Sequence, residues 1–144
     1  MAEYHTQFSC LFDTGSEVNA RRALGIRAEL AAEVERDEGA DLGFEAEPAP
    51  REDGPGALWI RSGDFGEPEH VIAFALRCAE AFGLTGRWGF RWSLGCSRPR
   101  LDAFGGGAHV LDLGARATVA WVDCGTWLDE QMLEETPEGA EAAP

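Results

Sequence analysis

The stretch Glu67-Pro68-Glu69-His70-Val71-Ile72-Ala73-Phe74-Ala75-Leu76-Arg77-Cys78-Ala79-Glu80-Ala81-Phe82-Gly83 decides the fold, together with Arg87-Trp88-Gly89-Phe90-Arg91-Trp92 three residues further on. Proline at the first helical position and acids at the positive end of the helix dipole open a helix. Val71, Ile72, Ala75, Leu76, Cys78, Ala79 and Phe82 form a wide apolar stripe at helical spacing, and Gly83 is the expected stop. At Trp88, Phe90 and Trp92 the apolar period changes to two, which predicts a strand with its aromatics on one face.

Upstream the same two periods alternate. Tyr4, Thr6, Phe8, Cys10 and Phe12 predict a first strand, and Asp13-Thr14-Gly15-Ser16 a turn in which Ser16 caps the next helix. That helix runs to about Arg36, with Ala23, Ile26, Leu30 and Val34 inward and Glu29, Glu33 and Arg36 towards water. A strand at Leu42–Glu47, a loop from Pro48 to Gly56 and a strand at Leu58–Arg61 follow. Downstream, His109–Leu113 and Ala117–Asp123 read as a hairpin turning at Gly114-Ala115. A short helix from Thr126 to about Leu133 comes next, with Trp127, Leu128 and Met132 expected inward.

The order β-α-β-β-α-β is the ferredoxin-like plan of an α+β domain, here extended by a C-terminal β-hairpin and a short helix. It implies a mostly antiparallel sheet with two helices on one face. Residues 1–135 are expected to form a single domain, and residues 136–144 a disordered acidic tail.

The 144 residues carry 26 acids against 12 bases, a net charge of −14. All the bases are arginine, which excludes lysine Schiff-base chemistry and a phosphate-loop lysine. Such a charge argues against a domain held to nucleic acid or to anionic lipid. Met1–Gln7 lacks the basic and apolar regions of a signal peptide, and no apolar run is long enough to span a membrane, so a cytoplasmic protein is expected. Cys10, Cys78, Cys96 and Cys124 contain no CxxC pair, so neither a zinc ribbon nor a thioredoxin-type motif is available. They read as small apolar residues on buried faces. His5, His70 and His109 show no ligand spacing with them, and neither metal nor cofactor is expected.

Charge is distributed unevenly. From Glu29 to Asp53 ten acids meet two arginines, whereas residues 86–101 hold Arg87, Arg91, Arg98 and Arg100 with no acid. Two local motifs invite stronger readings. Gly105-Gly106-Gly107 suggests a phosphate cradle, but a strand rather than a helix follows, so a bulge or close backbone crossing is the better account. Arginine interleaved with aromatics over 87–92 suggests base stacking, yet the signature of RNA-binding modules of this plan is absent. Cys96 beside Arg98 and Arg100, with His109 or His70 as base, is the alternative catalytic or anion-binding site, joined by Arg87 and Arg91. It requires those side chains to converge on one pocket.

The segment Trp88–Leu113, with W-G-F, C-S-R-P-R-L-D and F-G-G-G-A-H-V-L-D-L, resembles a group of small bacterial proteins carried by plasmids and other mobile elements. The resemblance extends to Phe8-Ser9-Cys10-Leu11 and to Asp64–Gly86. It implies a role in conflict between mobile elements and hosts and supplies no catalytic residues.

The leading expectation is a non-enzymatic protein that binds and blocks a basic partner, a nuclease or a CRISPR or restriction component, or else serves as a toxin-immunity protein. Carboxylates on a rigid helix stand in for phosphates and steer association. Glu29, Glu33, Asp37, Glu38 and Asp41 are the expected contact residues, with Glu29 and Glu33 one turn apart on a shared solvent face. A small enzyme and a homodimeric structural module, the latter hiding an open sheet face, are the alternatives.

Overall fold

The computed structural model describes residues 2–134, so the expected tail lies outside the described residues. Seven strands and three α-helices give an α+β fold: β1 (Tyr4–Gln7), β2 (Ser9–Asp13), α1 (Glu17–Glu38), β3 (Glu45–Pro48), β4 (Ala57–Arg61), α2 (Pro68–Phe82), β5 (Arg87–Cys96), β6 (Gly105–Asp112), β7 (Ala117–Asp123) and α3 (Cys124–Leu133). A 3-10 turn at Arg51–Asp53 lies between β3 and β4.

The strands form two antiparallel sheets, in the orders β1-β5-β6-β7 and β2-β4-β3. The first predicted strand is the corner between them. Its N-terminal half pairs with β5, Tyr4 opposite Cys96 and Gln7 opposite Ser93. Its C-terminal half turns away to pair with β4, Ser9 opposite Arg61 and Asp13 opposite Ala57. The βαββαβ order is thus kept, but the first and fourth strands of the plan pair over only half their length.

Phe8 is the pivot, buried with its ring edge-on to Phe90 at 5.8 Å. Its amide donates to Ser62 Oγ at 2.8 Å, and its carbonyl accepts from the Ser62 amide at 3.0 Å, so the backbone polar groups freed at the corner are satisfied.

Local signals account for the helices. Ser16 Oγ accepts from the Asn19 amide at 3.1 Å. Gly39 and Gly83 close α1 and α2 in the left-handed conformation, at φ 64° and 63°. Ala20, Ala23, Leu30 and Val34 of α1 and Val71, Phe74, Ala75, Cys78 and Ala79 of α2 enter one core with Phe12, Leu58, Ile60, Phe90 and Leu111. The aromatic face of β5 lies against it, with Trp88 edge-on to Phe12 at 5.0 Å and stacked on Phe90 at 5.4 Å.

The hairpin is longer than its apolar pattern suggests. β6 begins at Gly105, so the glycine run is strand and not a loop. A Cβ at Gly107 would fall on the Val122 carbonyl and 2.6 Å from Trp92 Cζ2, which is the close crossing expected of this run.

The expectation that Trp127, Leu128 and Met132 point inward is overturned, since all three are exposed and no residue of α3 is buried. The added hairpin is the reason. The core shared by α1 and α2 reaches Leu111 on β6 but takes in no residue of β7, and α3 packs mainly on β6 and β7.

Candidate functional site

The acidic block occupies the C-terminal end of α1, the connection to β3, and β3 itself, which is an edge strand. Its carboxylates divide into those that hold the fold and those that face water. Glu33 is not free in solvent, and Glu29, one turn before it on α1, also lies near enough to Arg77 to raise its pKa. Glu33 is half-buried against α2, where the Arg77 guanidinium bonds its carboxylate. That hydrogen bond holds the Glu33 carboxyl below the usual carboxylate range and raises the Arg77 pKa in turn. The residue lies beside Leu30 and Val34 on the flank that meets α2, and this tertiary contact overrides the simple amphipathic division.

Glu38 is likewise engaged, with Oε2 3.3 Å from His70 Nε2, while His70 Nδ1 donates to the Leu42 carbonyl at 2.9 Å. Asp41 Oδ2 accepts from the Gly43 amide at 3.0 Å. This fixes a turn where Gly43, at φ 83°, passes so close to Glu67 that a Cβ would lie 2.6 Å from its Cγ. Asp37 pairs with its neighbour Arg36 at 3.2 Å, with both side chains about two-thirds exposed. Glu29 and Glu35 are exposed on α1.

On β3 and β4, Glu45 meets Arg27 at 3.2 Å and Glu47 meets Arg61 at 2.9 Å. Arg27, Arg36 and Arg61 are therefore already engaged by carboxylates, and a surplus of acid faces solvent. Glu52 and Asp53 extend it into the turn before β4.

The arginine island is not one site. Arg87 and Arg91 alternate with Trp88, Phe90 and Trp92, so they lie on the sheet face turned away from the helices. Arg87 sits opposite Asp112 and Arg91 opposite Ala108. Arg98 and Arg100 follow β5 and line a shallow hollow with Tyr4, Pro99 and Leu101. Cys96, opposite Tyr4, ends the strand.

His109 stands opposite Phe90, six residues back along β5 from Cys96, a separation of about 20 Å at the rise of a strand. His109 Nε2 is 2.8 Å from Thr118 Oγ1, and burial lowers its pKa, which favours the neutral ring. The convergence required of Cys96, Arg98, Arg100 and His109 is absent.

The cysteines are not uniformly buried. Cys78 is buried, Cys10 and Cys96 are half-buried, and Cys124 is exposed at the start of α3. Desolvation pushes the Cys10 and Cys78 thiols up to about 12. Among the described residues no group of three His, Cys, Asp or Glu side chains is placed to hold a metal ion, and no helix is long and apolar enough to cross a membrane.

No family model, curated protein or solved structure matches the chain.

Proposed function

We propose that this is a non-enzymatic interaction protein whose acidic edge occupies a positively charged groove on a nucleic-acid-handling partner and blocks it. The observation that carries this reading is the run of exposed carboxylates from Glu29, Glu35 and Asp37 on α1, past Asp41, to Glu45 and Glu47 on the edge strand. Asp37 sits at the negative end of the α1 dipole, where an acid weakens a helix by a few tenths of a kcal/mol. Folding alone does not favour it there, whereas a rigid array of negative charge steers and orients a basic partner.

The two roles of the carboxylates refine the contact set. Glu29, Glu35 and Asp37 are the acids offered to the partner, while Glu33, Glu38 and Asp41 hold α1 and its exit in place. The resemblance to proteins of mobile elements favours a host defence nuclease, a restriction component or a CRISPR component as the partner. The separation of Cys96 from His109 speaks against the catalytic alternative.

The test is affinity capture from host extract after nuclease treatment, with E29R/E35R/D37R as the paired control. Capture of a basic protein by the wild type and its loss with the variant supports the reading. Equal capture by both overturns it.

A further inference from the structure

Beyond that reading, and independently of it, we propose that the loop after β5 binds a small phosphomonoester between Arg98, Arg100 and Tyr4. The hollow there is lined by Tyr4, Arg98, Pro99, Arg100 and Leu101, so two guanidinium groups, a phenol and apolar side chains bound it and no carboxylate does. The salt bridges of the described residues engage Arg27, Arg36, Arg61 and Arg77. They leave Arg98 and Arg100, both exposed, without a carboxylate partner in a chain of 26 acids and 12 bases. The acids nearest in sequence stand outside the hollow. Glu3 precedes Tyr4 at the strand end, and Asp102, at φ 57°, lines a neighbouring hollow with Asp123 and Asp129, Arg100 being shared between the two.

The loop is held in shape before any ligand arrives. The Arg100 amide donates to the Arg98 carbonyl at 2.8 Å, which closes a γ-turn on Pro99. Proline fixes φ at about −65°, close to what an inverse γ-turn requires, so the two arginines are presented together with little further ordering. Just before them, the Ser97 amide donates to the Glu3 carbonyl and the Glu3 amide to Ser97 Oγ, both at 2.8 Å. These two bonds tie the loop to the start of β1 and so to Tyr4.

The donor set selects the ligand class. Two guanidinium forks suit a dianion with three terminal oxygens, which accepts charge-assisted bonds from both at once. Tyr4, 50% exposed, and Leu101, 93% exposed, offer a ring and an apolar side chain to the group that carries the phosphate. A diester has one charge and two free oxygens, and the net charge of −14 repels an extended polyanion, so a monoester is favoured over a nucleic-acid backbone.

The test is a nuclear magnetic resonance titration of the full chain with phenyl phosphate, read at the Arg98 and Arg100 Nε–H groups and the Tyr4 ring. Saturable shifts at all three are expected, with inorganic phosphate binding at least threefold more weakly and phenol giving no shift. R98Q/R100Q is expected to weaken phenyl phosphate binding at least tenfold. Y4A is expected to lower the affinity for phenyl phosphate to that for inorganic phosphate. P99G keeps both arginines, frees the turn and is expected to weaken both ligands several-fold, which decides the matter should R98Q/R100Q not fold. Shifts still linear at about 20 mM phenyl phosphate, well past the ~1 mM dissociation constant of a few exposed charge-assisted contacts, overturn the proposal. Saturation unchanged in both R98Q/R100Q and P99G, or equal affinity for dimethyl phosphate, overturns it too. None of these substitutions touches α1 or β3, so the outcome is separate from that of partner capture.

Discussion

The Trp88 indole donates a hydrogen bond to the Leu11 carbonyl at 2.8 Å, bridging the two strands whose backbones part at Phe8. Where the ferredoxin-like plan would place a ladder between first and fourth strands, a side chain closes the gap. The same ring is edge-on to Phe12 and stacked on Phe90, so the wedge also belongs to the core. Trp88→Phe keeps an aromatic ring and deletes the donor. It is expected to cost about 1 kcal/mol in chemical denaturation. Hydrogen exchange should rise in β2 first, ahead of β6 and β7.

Gly107 gives a sharper test of packing. With the Trp92 ring and the Val122 carbonyl both occupying the space of a Cβ, Gly107→Ala must displace the ring or the β6–β7 ladder. A loss of about 1–3 kcal/mol is expected, as for other overpacked sites. Gly105→Ala, where nothing lies within 4 Å, is the matched control and should be nearly neutral in the same denaturation assay.

The Glu33–Arg77 pair makes the α1–α2 contact sensitive to acid. The folded-state pKa of Glu33 is lowered, so the contribution is fully present above the unfolded value of ~4.3 and is lost as pH falls through the folded value. Thermal melts should therefore show stability declining below about pH 4.5. Glu33→Gln should be less stable than the wild type at pH 7 and should lose part of that decline. A pH profile identical in the two proteins would remove the pair from the account.

Alkylation followed by mass spectrometry should rank the cysteines by environment. Cys124, exposed beside α3, should react first in the native protein, and Cys96 next. Cys10 and Cys78, with thiols pushed up to about 12, should react only after denaturation. Fast native labelling of Cys10 would contradict the desolvated environment assigned to its thiol.

What the sequence discloses and what it hides divide along local and non-local lines. Helix α2 is legible to the residue because Pro68 and Gly83 bracket it, and β5 because Trp88, Phe90 and Trp92 keep a strict period. The corner at Phe8 is not legible: the alternation Thr6, Phe8, Cys10 runs on unbroken while the pairing partner changes from β5 to β4. Trp127 and Met132 of α3 carry an amphipathic pattern, yet their burial depends on how far α1 and α2 reach across the sheet. Glu33 looks like any solvent-facing acid of α1 until Arg77 arrives from another helix. The charge asymmetry is fully legible. Its division into carboxylates that hold the fold and carboxylates that face outward is a property of the tertiary structure.

The most direct measurement of the central claim is the association rate of E29R/E35R/D37R with the captured basic partner, set against the wild type over a range of salt. The account predicts at least tenfold slower association at low salt and a flatter salt dependence, with the dissociation rate changed far less. It also predicts a retained fold, since acids leave the C-terminal turn of α1 while the attraction of Glu29 to Arg77 is lost. Equal association rates and equal salt dependence for the two proteins would contradict the acidic edge as the binding surface.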